Sequence, residues 1–274
     1  MDLPHNHDAM YHRGDVGQYR QLENVVAAVE PELVYHLGAE FGRFNGEDFY
    51  ETMWRSNAVG TKHMLRLQEA RKFRMVFFSS SEVYGDYDGV MTEEVPHTVP
   101  IRQLNDYAIS KWVNELQVMN SADRFGTETV RVRLFNTYGP GEHYSTYRSV
   151  VCQFAYRALA GIPYTVYSEH TRTLTYIDDS IDALANIATN FKPGEVYNIA
   201  GDESVNMREL SDMILDATGG SPDLVTDTPI EAHNTLHKKT SNEKAKRELG
   251  MATRTDLKQG IANTVEWLRD TYGF

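Results

Sequence analysis

Apolar runs of strand length alternate along this chain with longer stretches whose apolar residues recur at helical spacing. The runs ELVYHLGA, RMVFFSSS and ETVRVRLFN are separated by the helical patterns NAVGTKHMLRLQEA and DYAISKWVNELQVMNS. Each run is apolar throughout instead of at every second position, which is typical of strands buried on both faces of a parallel sheet. The alternation therefore predicts an α/β fold in which helices cover both faces of a parallel sheet.

Three short segments stand at the carboxyl ends of predicted strands, where this architecture places binding sites. They occupy residues 38–40, 79–82 and 136–138. Ligands of open α/β sheets bind outside the carboxyl ends of the strands. We therefore expect these loops to converge on one crevice.

The pattern of predicted elements changes near residue 144, where the helices and strands become shorter and follow one another in a mixed order. This change predicts a smaller C-terminal lobe that holds the substrate. We divide the chain at that point into a dinucleotide-binding unit, residues 1–143, and a mainly substrate-binding lobe, residues 144–274, with elements that interleave.

Composition excludes several classes of protein. The chain has 39 acidic and 27 basic residues, a formal charge of -12, which disfavours binding to nucleic acid or to an anionic membrane. The one cysteine, Cys152, excludes an internal disulfide framework, and no apolar stretch approaches the length of a membrane span. We expect a cytosolic protein, with Cys152 as a small core residue of the helical pattern SVVCQFAYRAL.

The first residues are rich in histidine, with His5, His7 and His12 close together. No fixed scaffold and no cysteine accompany them. We therefore expect a mobile polar terminus and no metal site.

Tyr107 and Lys111 lie four residues apart within a helical pattern, so their side chains share one helix face. An ammonium beside a phenol favours the phenolate, which can act as a general base near neutral pH. The alternative is a tyrosine packed on a lysine stem. The surrounding motifs favour the catalytic interpretation.

Those motifs occur in a fixed order: GDV, VYHLGAE, SNAVGT, SSSEVYG, YAISK, LFNTYGPG, RTLTYIDD, GEVYNIAGDESVNMRELSDMI and KAKRELG. In this order they resemble the extended short-chain dehydrogenase/reductase family, specifically its nucleotide-sugar epimerases, dehydratases and decarboxylases. The resemblance implies a Rossmann-type fold, NAD or NADP as cofactor and a nucleotide-sugar substrate. It also implies a homodimer formed through helices near residues 52–69 and 106–121.

The resemblance further implies the catalytic roles. Tyr107 would take the proton from the sugar C4 hydroxyl, Lys111 would hold the ribose and lower the pKa of Tyr107, and Ser80 would share the hydrogen bond. Glu82 would move the C5 proton of the oxidised sugar; its alternatives are to cap the next turn or to pair with a lysine. This family pattern explains why an apolar strand ends in hydroxyls and a carboxylate.

Binding residues follow from the same resemblance. Predicted cofactor contacts are Asp15, Val16, Leu37, Ala39, Asn57, Ser79, Tyr107 and Lys111, with Asp2 as the remnant of a ribose-binding acid. Predicted substrate contacts are Ser81, Asn136, Arg172 and Lys239. Arg172 suits a diphosphate because its guanidinium forms two parallel hydrogen bonds, although it could instead pair with Asp178 or Asp179.

The glycine-rich turn of the family, which binds the cofactor pyrophosphate, does not occur in this sequence. By alignment with the family, residues 10–16 correspond to the third strand, so the first strand-helix unit lies outside the sequence. The run ELVYHLGA would then have an open edge in what is normally the middle of the sheet. We expect residues 10–16 to shift inward and pair with it, or a second chain to cover it.

These features predict an NAD(P)-dependent enzyme that acts through transient oxidation of sugar C4. Retention of Ser80, Glu82, Tyr107 and Lys111 together favours this interpretation. The alternative is a non-catalytic nucleotide-sugar binding protein that has lost dinucleotide binding. The sequence leaves open which nucleotide sugar is used and whether the reaction is dehydration, decarboxylation or epimerisation.

Overall fold

The computed structural model describes residues 8–274. The helices are α1 Tyr19–Val29, α2 Arg43–Asp48, α3 Tyr50–Trp54, α4 Gly60–Arg71, α5 Val95–Thr98, α6 Asp106–Phe125, α7 Val150–Leu159, α8 Ile177–Thr189, α9 Met207–Thr218, α10 Glu243–Leu249 and α11 Leu257–Tyr272. The strands are β1 Leu33–His36, β2 Arg74–Ser80, β3 Val90–Met91, β4 Thr129–Leu134, β5 Thr137–Tyr138, β6 Tyr164–Tyr167, β7 Thr171–Thr173, β8 Thr175–Tyr176, β9 Val196–Ile199, β10 Ser204–Asn206, β11 Val225–Thr228 and β12 His237–Thr240. A π-helical segment, Arg55–Val59, joins α3 to α4, and 3-10 turns lie at Ser81–Tyr84 and Pro222–Leu224.

Four parallel strands in the order β1-β2-β4-β9 form the main sheet. Successive side chains of β2 point to opposite faces. Met75 and Phe77 pack with residues of α1, α4 and α6, whereas Val76 and Phe78 pack with residues of α8 and α10. Each such buried apolar side chain contributes about 2 kcal/mol to stability. The predicted α/β fold, with helices on both faces of a parallel sheet, is confirmed.

Strand β1 is an edge of this sheet within the described residues, because it pairs with β2 alone. Residues 10–16 form no strand, so the predictions that they correspond to the third strand and pair with β1 are wrong. A local turn prevails instead: the Asp15 carboxylate accepts from Gly17 N–H at 2.8 Å, and Gln18 N–H donates to the Asp15 carbonyl at 2.9 Å, just before α1. Coverage of β1 by a second chain stays a prediction.

The C-terminal part of the chain builds a second core from α7, α9 and α11. It also supplies β7, β10 and β12 to a second sheet of order β10-β7-β12-β3, in which β3 comes from the N-terminal half. Strand β9 and helices α8 and α10 return to the main sheet. The elements therefore interleave across the division at residue 144.

Cys152 is fully buried in α7, and burial raises the pKa of its thiol to about 12. The prediction that Cys152 is a core residue is confirmed. No helix within residues 8–274 combines the length and the apolar character needed to cross a bilayer. Asp2, His5 and His7 lie outside the described residues.

Candidate active site

The carboxyl ends of β1, β2 and β4 lie side by side, because His36 is in register with Phe77 and Ser80 with Leu134. Beyond Ser80 the chain enters the 3-10 turn that carries Glu82, and the Ser80 hydroxyl oxygen accepts from Glu82 N–H at 3.3 Å. The turn ends at Gly85 with φ +50°, where an added Cβ would lie 2.2 Å from the Arg102 carbonyl oxygen. Only glycine fits this turn, which aims Glu82 into the crevice.

Helix α6 presents Tyr107 and Lys111 to the same strand end. Its first turn is capped by Asn105, whose side-chain oxygen accepts from Ala108 N–H at 2.9 Å. Both Tyr107 and Lys111 are buried. Lys111 Nζ donates to the Phe78 carbonyl at 2.9 Å and lies 5.9 Å from the centre of the Tyr107 ring, while Ser80 hydrogen-bonds the Tyr107 hydroxyl.

The electrostatics of this pair differ from the prediction. Burial raises the pKa of Tyr107 to about 12; the hydrogen bond to Ser80 lowers it only in part, and the Glu82 carboxylate raises it further. Burial also lowers the pKa of Lys111 to about 8. The predicted lowering of the Tyr107 pKa by Lys111 is therefore wrong for this geometry, because the ammonium is directed at a backbone carbonyl.

Glu82 pairs with Lys238, whose side chain is 2% exposed. Burial alone would raise the pKa of Glu82, but Lys238, Arg172 and the amide of Asn105 at 3.5 Å together lower it. Glu82 is thus a half-buried carboxylate that stays ionised. The sequence left three roles open for Glu82: proton transfer, capping of the next turn, or pairing with a lysine. The structure contains the pairing with a lysine.

The lysine at the site is Lys238 and not Lys239, which sequence reasoning selected. Lys239 lies on the other face of β12, where it is exposed and in register with Val90. The two positions differ by one residue, and one residue reverses the face of a strand. The pattern HKKT carries no alternation that distinguishes the two faces.

Arg172 and Asn136 occupy the same region, as predicted. Arg172 is 7% exposed, with Nη1 donating to the carbonyls of Thr171 at 2.8 Å and Leu236 at 3.1 Å. Asn136 adopts φ +38°, which asparagine tolerates, and its amide donates to the Thr173 carbonyl at 3.0 Å. No ion pair between Arg172 and Asp178 or Asp179 occurs in the described residues; Asp179 instead accepts from backbone N–H groups near Arg254.

We call the space in front of Glu82 the cationic cavity. Its volume is about 350 Å³ and its charged lining residues are Arg43, Glu82, Arg148, Arg172, Glu231 and Lys238. The four cations exceed the two carboxylates, whereas the whole chain carries a net charge of -12. The cavity is therefore a local positive site suited to an anionic ligand.

Two predicted contacts are enclosed by protein instead. The amide of Asn57 is fully buried and binds the backbone of Glu40 at 2.8 Å and 2.9 Å and the Ser110 hydroxyl at 3.0 Å. The Ser79 hydroxyl donates to Glu115 at 2.6 Å in the core. Each side chain therefore holds neighbouring protein groups in place, and the cofactor contacts of Asn57 and Ser79 stay predictions.

Ser81 is likewise 4% exposed and does not line the cationic cavity. Its hydroxyl lies within the 3-10 turn that follows β2. The substrate contact of Ser81 stays a prediction.

The remaining predicted cofactor residues lie at the carboxyl end of β1. Leu37 is 59% exposed, and Val16 packs so closely that a Cβ on Gly38 would lie 2.7 Å from its Cγ1. Asp15 stands next to this contact, and Ala39 begins the loop held by Asn57. Tyr107 and Lys111 fit the reacting end of a dinucleotide, but the described residues supply no glycine-rich helix start for its pyrophosphate.

A sequence model described as the NAD dependent epimerase/dehydratase family matches residues 2–200. The dTDP-glucose 4,6-dehydratase of Streptomyces niveus is 28% identical over 94% of this chain and 75% of its own length. The UDP-N-acetyl-alpha-D-glucosaminuronate decarboxylase of Bacillus cytotoxicus is 27% identical over 87% of this chain and 77% of its own.

Solved structures agree in fold. The epimerase Mth375 of Methanothermobacter thermautotrophicus superposes with a TM-score of 0.90 at 25% identity, covering 98% of this chain and 81% of that one. The dTDP-glucose 4,6-dehydratase DesIV of Streptomyces venezuelae, solved with NAD and TYD bound, gives a TM-score of 0.84 at 25% identity, covering 95% and 79%. These proteins share the fold whose strand β2, following turn and helix α6 carry Ser80, Glu82 and Tyr107 in this chain.

Proposed function

Because the chain belongs to the NAD-dependent epimerase/dehydratase family, we propose that it is an enzyme that transiently oxidises C4 of a nucleotide-linked sugar. The observation that supports this most directly is the grouping of Ser80, Tyr107 and Lys111 beside a cationic cavity. Relatives that are dehydratases, epimerases and decarboxylases all act on nucleotide sugars by name.

The proton of the C4 hydroxyl goes to Tyr107 in this proposal. Ser80, already hydrogen-bonded to Tyr107, holds the hydroxyl oxygen in line. Tyr107 has a pKa of about 12, so removal of its own proton at neutral pH requires nearby positive charge. Lys111, with a pKa of about 8, is charged at neutral pH, and it supplies that charge if its ammonium turns from the Phe78 carbonyl towards the Tyr107 hydroxyl. When bound, NAD supplies the hydride acceptor for C4.

The nucleotide sugar occupies the cationic cavity in this proposal. Arg148 supports the assignment, because its Nε is buried without a hydrogen-bond partner among the described residues. A phosphate oxygen would satisfy that donor. Arg172 and Asn136, which lie nearer the strand ends, face the sugar.

A second candidate function is binding of a nucleotide sugar without turnover. The observation that favours it is the cationic cavity, whose excess of cations suits an anionic ligand without any dinucleotide. The two candidates differ in whether the chain binds a dinucleotide.

The experiment that tests the proposal is incubation of the purified chain with NAD and a panel of nucleotide sugars, with detection of a 4-keto product. Dinucleotide binding is measured separately, by the excess absorbance at 260 nm of the purified chain and by calorimetric titration with NAD. Binding of NAD together with a 4-keto signal supports the enzyme. Nucleotide-sugar binding without either would favour the binding protein.

We also propose that the chain forms a cytosolic homodimer. Ile109 and Leu116 lie seven residues apart on one face of α6 and are 40% and 44% exposed. Val59, at the start of the neighbouring α4, is 38% exposed. Apolar side chains at this spacing form the kind of helix face that a second copy would cover.

A further inference from the structure

We propose that the sugar held beside Glu82 carries a carboxylate on C5, so that the substrate is a nucleoside diphosphate hexuronic acid that loses carbon dioxide. This inference rests on the proposed C4 oxidation and selects one of the three reactions that the sequence leaves open. It is carried by the ion pairs of the two carboxylates that line the cationic cavity and by the excess of buried cations around Glu82.

The first step concerns proton donors. Expulsion of a hydroxyl from C6, which dehydration requires, needs an acid at that oxygen. The cationic cavity has two carboxyl groups, and both are ion-paired: Glu82 with Lys238, and Glu231 with Arg43 at 2.6 Å. Lys238 and Arg172 outweigh burial and hold the pKa of Glu82 low, so Glu82 does not carry a proton.

His170 lines the cavity but cannot take the role of acid either. Its Nε2 accepts from Glu231 N–H at 2.9 Å, and its Nδ1 lies 3.0 Å from the Thr235 carbonyl. Burial, together with Arg172, lowers its pKa, which keeps the ring neutral. Ser81, next to Glu82, is buried and carries a hydroxyl where a carboxyl group could have served as the acid. The described residues therefore give the cavity no carboxylic acid or imidazolium to protonate a leaving hydroxyl.

The second step concerns charge. Lys238 and Arg172 are in register on the paired strands β12 and β7, so their side chains leave the sheet on the same face. Both are buried, and the carboxylates that interact with them both are Glu82 and Glu231, of which Glu231 is already paired with Arg43 at 2.6 Å. An unbalanced buried cation is costly, and one further carboxylate would neutralise this group of three. Arg148, with its unpartnered Nε, remains for the diphosphate.

The chemistry balances without any further reagent. Oxidation at C4 turns the C5 carboxylate into a β-keto acid. The C5–C6 bond breaks, carbon dioxide leaves, and the electron pair forms the C4–C5 enolate, whose oxygen accepts from Ser80 and Tyr107. A proton from water then adds to C5, and the hydride that a bound NAD would hold would return to C4. The net change is uptake of one proton and release of one carbon dioxide.

Calorimetric titration tests the substrate class without turnover. The probes are UDP-glucuronate against UDP-glucose, and GDP-mannuronate against GDP-mannose, so that the nucleotide base is varied independently of the carboxylate. We expect the matching uronate to bind about tenfold more tightly than its neutral partner, the effect of one charge-assisted hydrogen bond. We expect Lys238→Met to reduce that preference to within about twofold, because the variant lacks the positive charge that would pair with the sugar carboxylate.

Two variants serve as controls. Lys239→Met changes the adjacent, exposed lysine and should retain the preference, while Lys238→Arg keeps the charge and should retain it even if Lys238→Met folds poorly. With NAD present, substrate labelled with ¹³C at C6 should release labelled carbon dioxide.

The outcomes separate the two proposals. If UDP-glucose or GDP-mannose binds as tightly as its uronate and accumulates a 4-keto product, the uronate inference fails while C4 oxidation stands. If a uronate binds preferentially and is epimerised with its carboxylate intact, decarboxylation is overturned. If no sugar nucleotide binds or reacts, both proposals fail.

Discussion

Lys238, on a strand of the second sheet, forms an ion pair with Glu82, on the turn that follows the central strand β2. The contact joins residues 156 positions apart in the chain, and it fixes the ionised state of the acid nearest the sugar. The charge of Glu82 is therefore a property of the fold and not of the SSSEVYG motif alone.

Replacing Glu82 with glutamine should destabilise the protein, since it leaves the Lys238 ammonium buried without a counter-charge. We expect the free energy of unfolding at pH 7 to fall by about 3 kcal/mol, measured by urea denaturation. Glu195→Gln is the matched control, because Glu195 pairs with Lys244 and is 40% exposed; its effect should stay below about 1 kcal/mol. Equal losses in the two variants would contradict the assigned role of the buried pair.

Tyr107→Phe should abolish turnover and leave ligand binding intact. The ring remains, so packing is kept, but the hydroxyl that accepts the C4 proton is gone. We expect the rate to fall by at least about 100-fold, with the calorimetric affinity for the nucleotide sugar unchanged within about twofold. Tyr87→Phe changes a half-buried tyrosine outside the site and serves as control. A variant that retains wild-type turnover would exclude Tyr107 as the proton acceptor.

Lys111 should give the protein a distinctive dependence of stability on pH. Burial lowers its pKa from 10.5 to about 8, so between these values the unfolded chain binds more protons than the native chain. The free energy of unfolding contributed by this group therefore rises with pH across that window, by an amount on the order of 3 kcal/mol.

The measurement compares urea denaturation of wild type and Lys111→Met from pH 7.5 to pH 10.5. The wild-type curve should rise relative to that of the variant, whereas the exposed Lys258→Met should run parallel to wild type. A constant difference between wild type and Lys111→Met would show that the lysine is not perturbed in the native state.

The proposed dimer predicts that Leu116→Asp yields a monomer. A carboxylate in the middle of an apolar helix face would be buried without a partner by a second copy. Light scattering of wild type and variant gives the masses directly. Ile181→Asp, at a residue that is 50% exposed on α8, should leave the mass unchanged. If light scattering gives the mass of a single chain for the wild-type protein, the proposed dimer is wrong.

The sequence predicted those parts of the site that local pattern determines. The apolar run before Ser80 had to be a buried strand, and the spacing of Tyr107 and Lys111 had to place both on one face of α6. Both predictions depend only on the periods of strand and helix, which the sequence displays directly.

The failures concern interactions between distant segments. The sequence indicates Lys239, whereas Lys238 lines the cavity. The face of β12 that turns to the cavity is set by its pairing with β7, and four residues of sequence do not reveal that pairing. Residues 10–16 were expected to pair with β1, but the turn at Asp15 directs them past its end. The direction of the Tyr107 pKa shift was missed because it depends on burial and on where the Lys111 ammonium points.

The pairing of β3 with β12 restricts how ligands enter. It hydrogen-bonds one strand from the first hundred residues to one from the last forty, so a hinge that swung the lobes apart would have to break a sheet. The Arg43 side chain joins two segments at the cationic cavity, through Glu231 at 2.6 Å and through the Ala232 carbonyl at 2.7 Å. In the proposed enzyme, a ligand that passes between these segments would require both contacts to open, so their strength would influence the rate of product release.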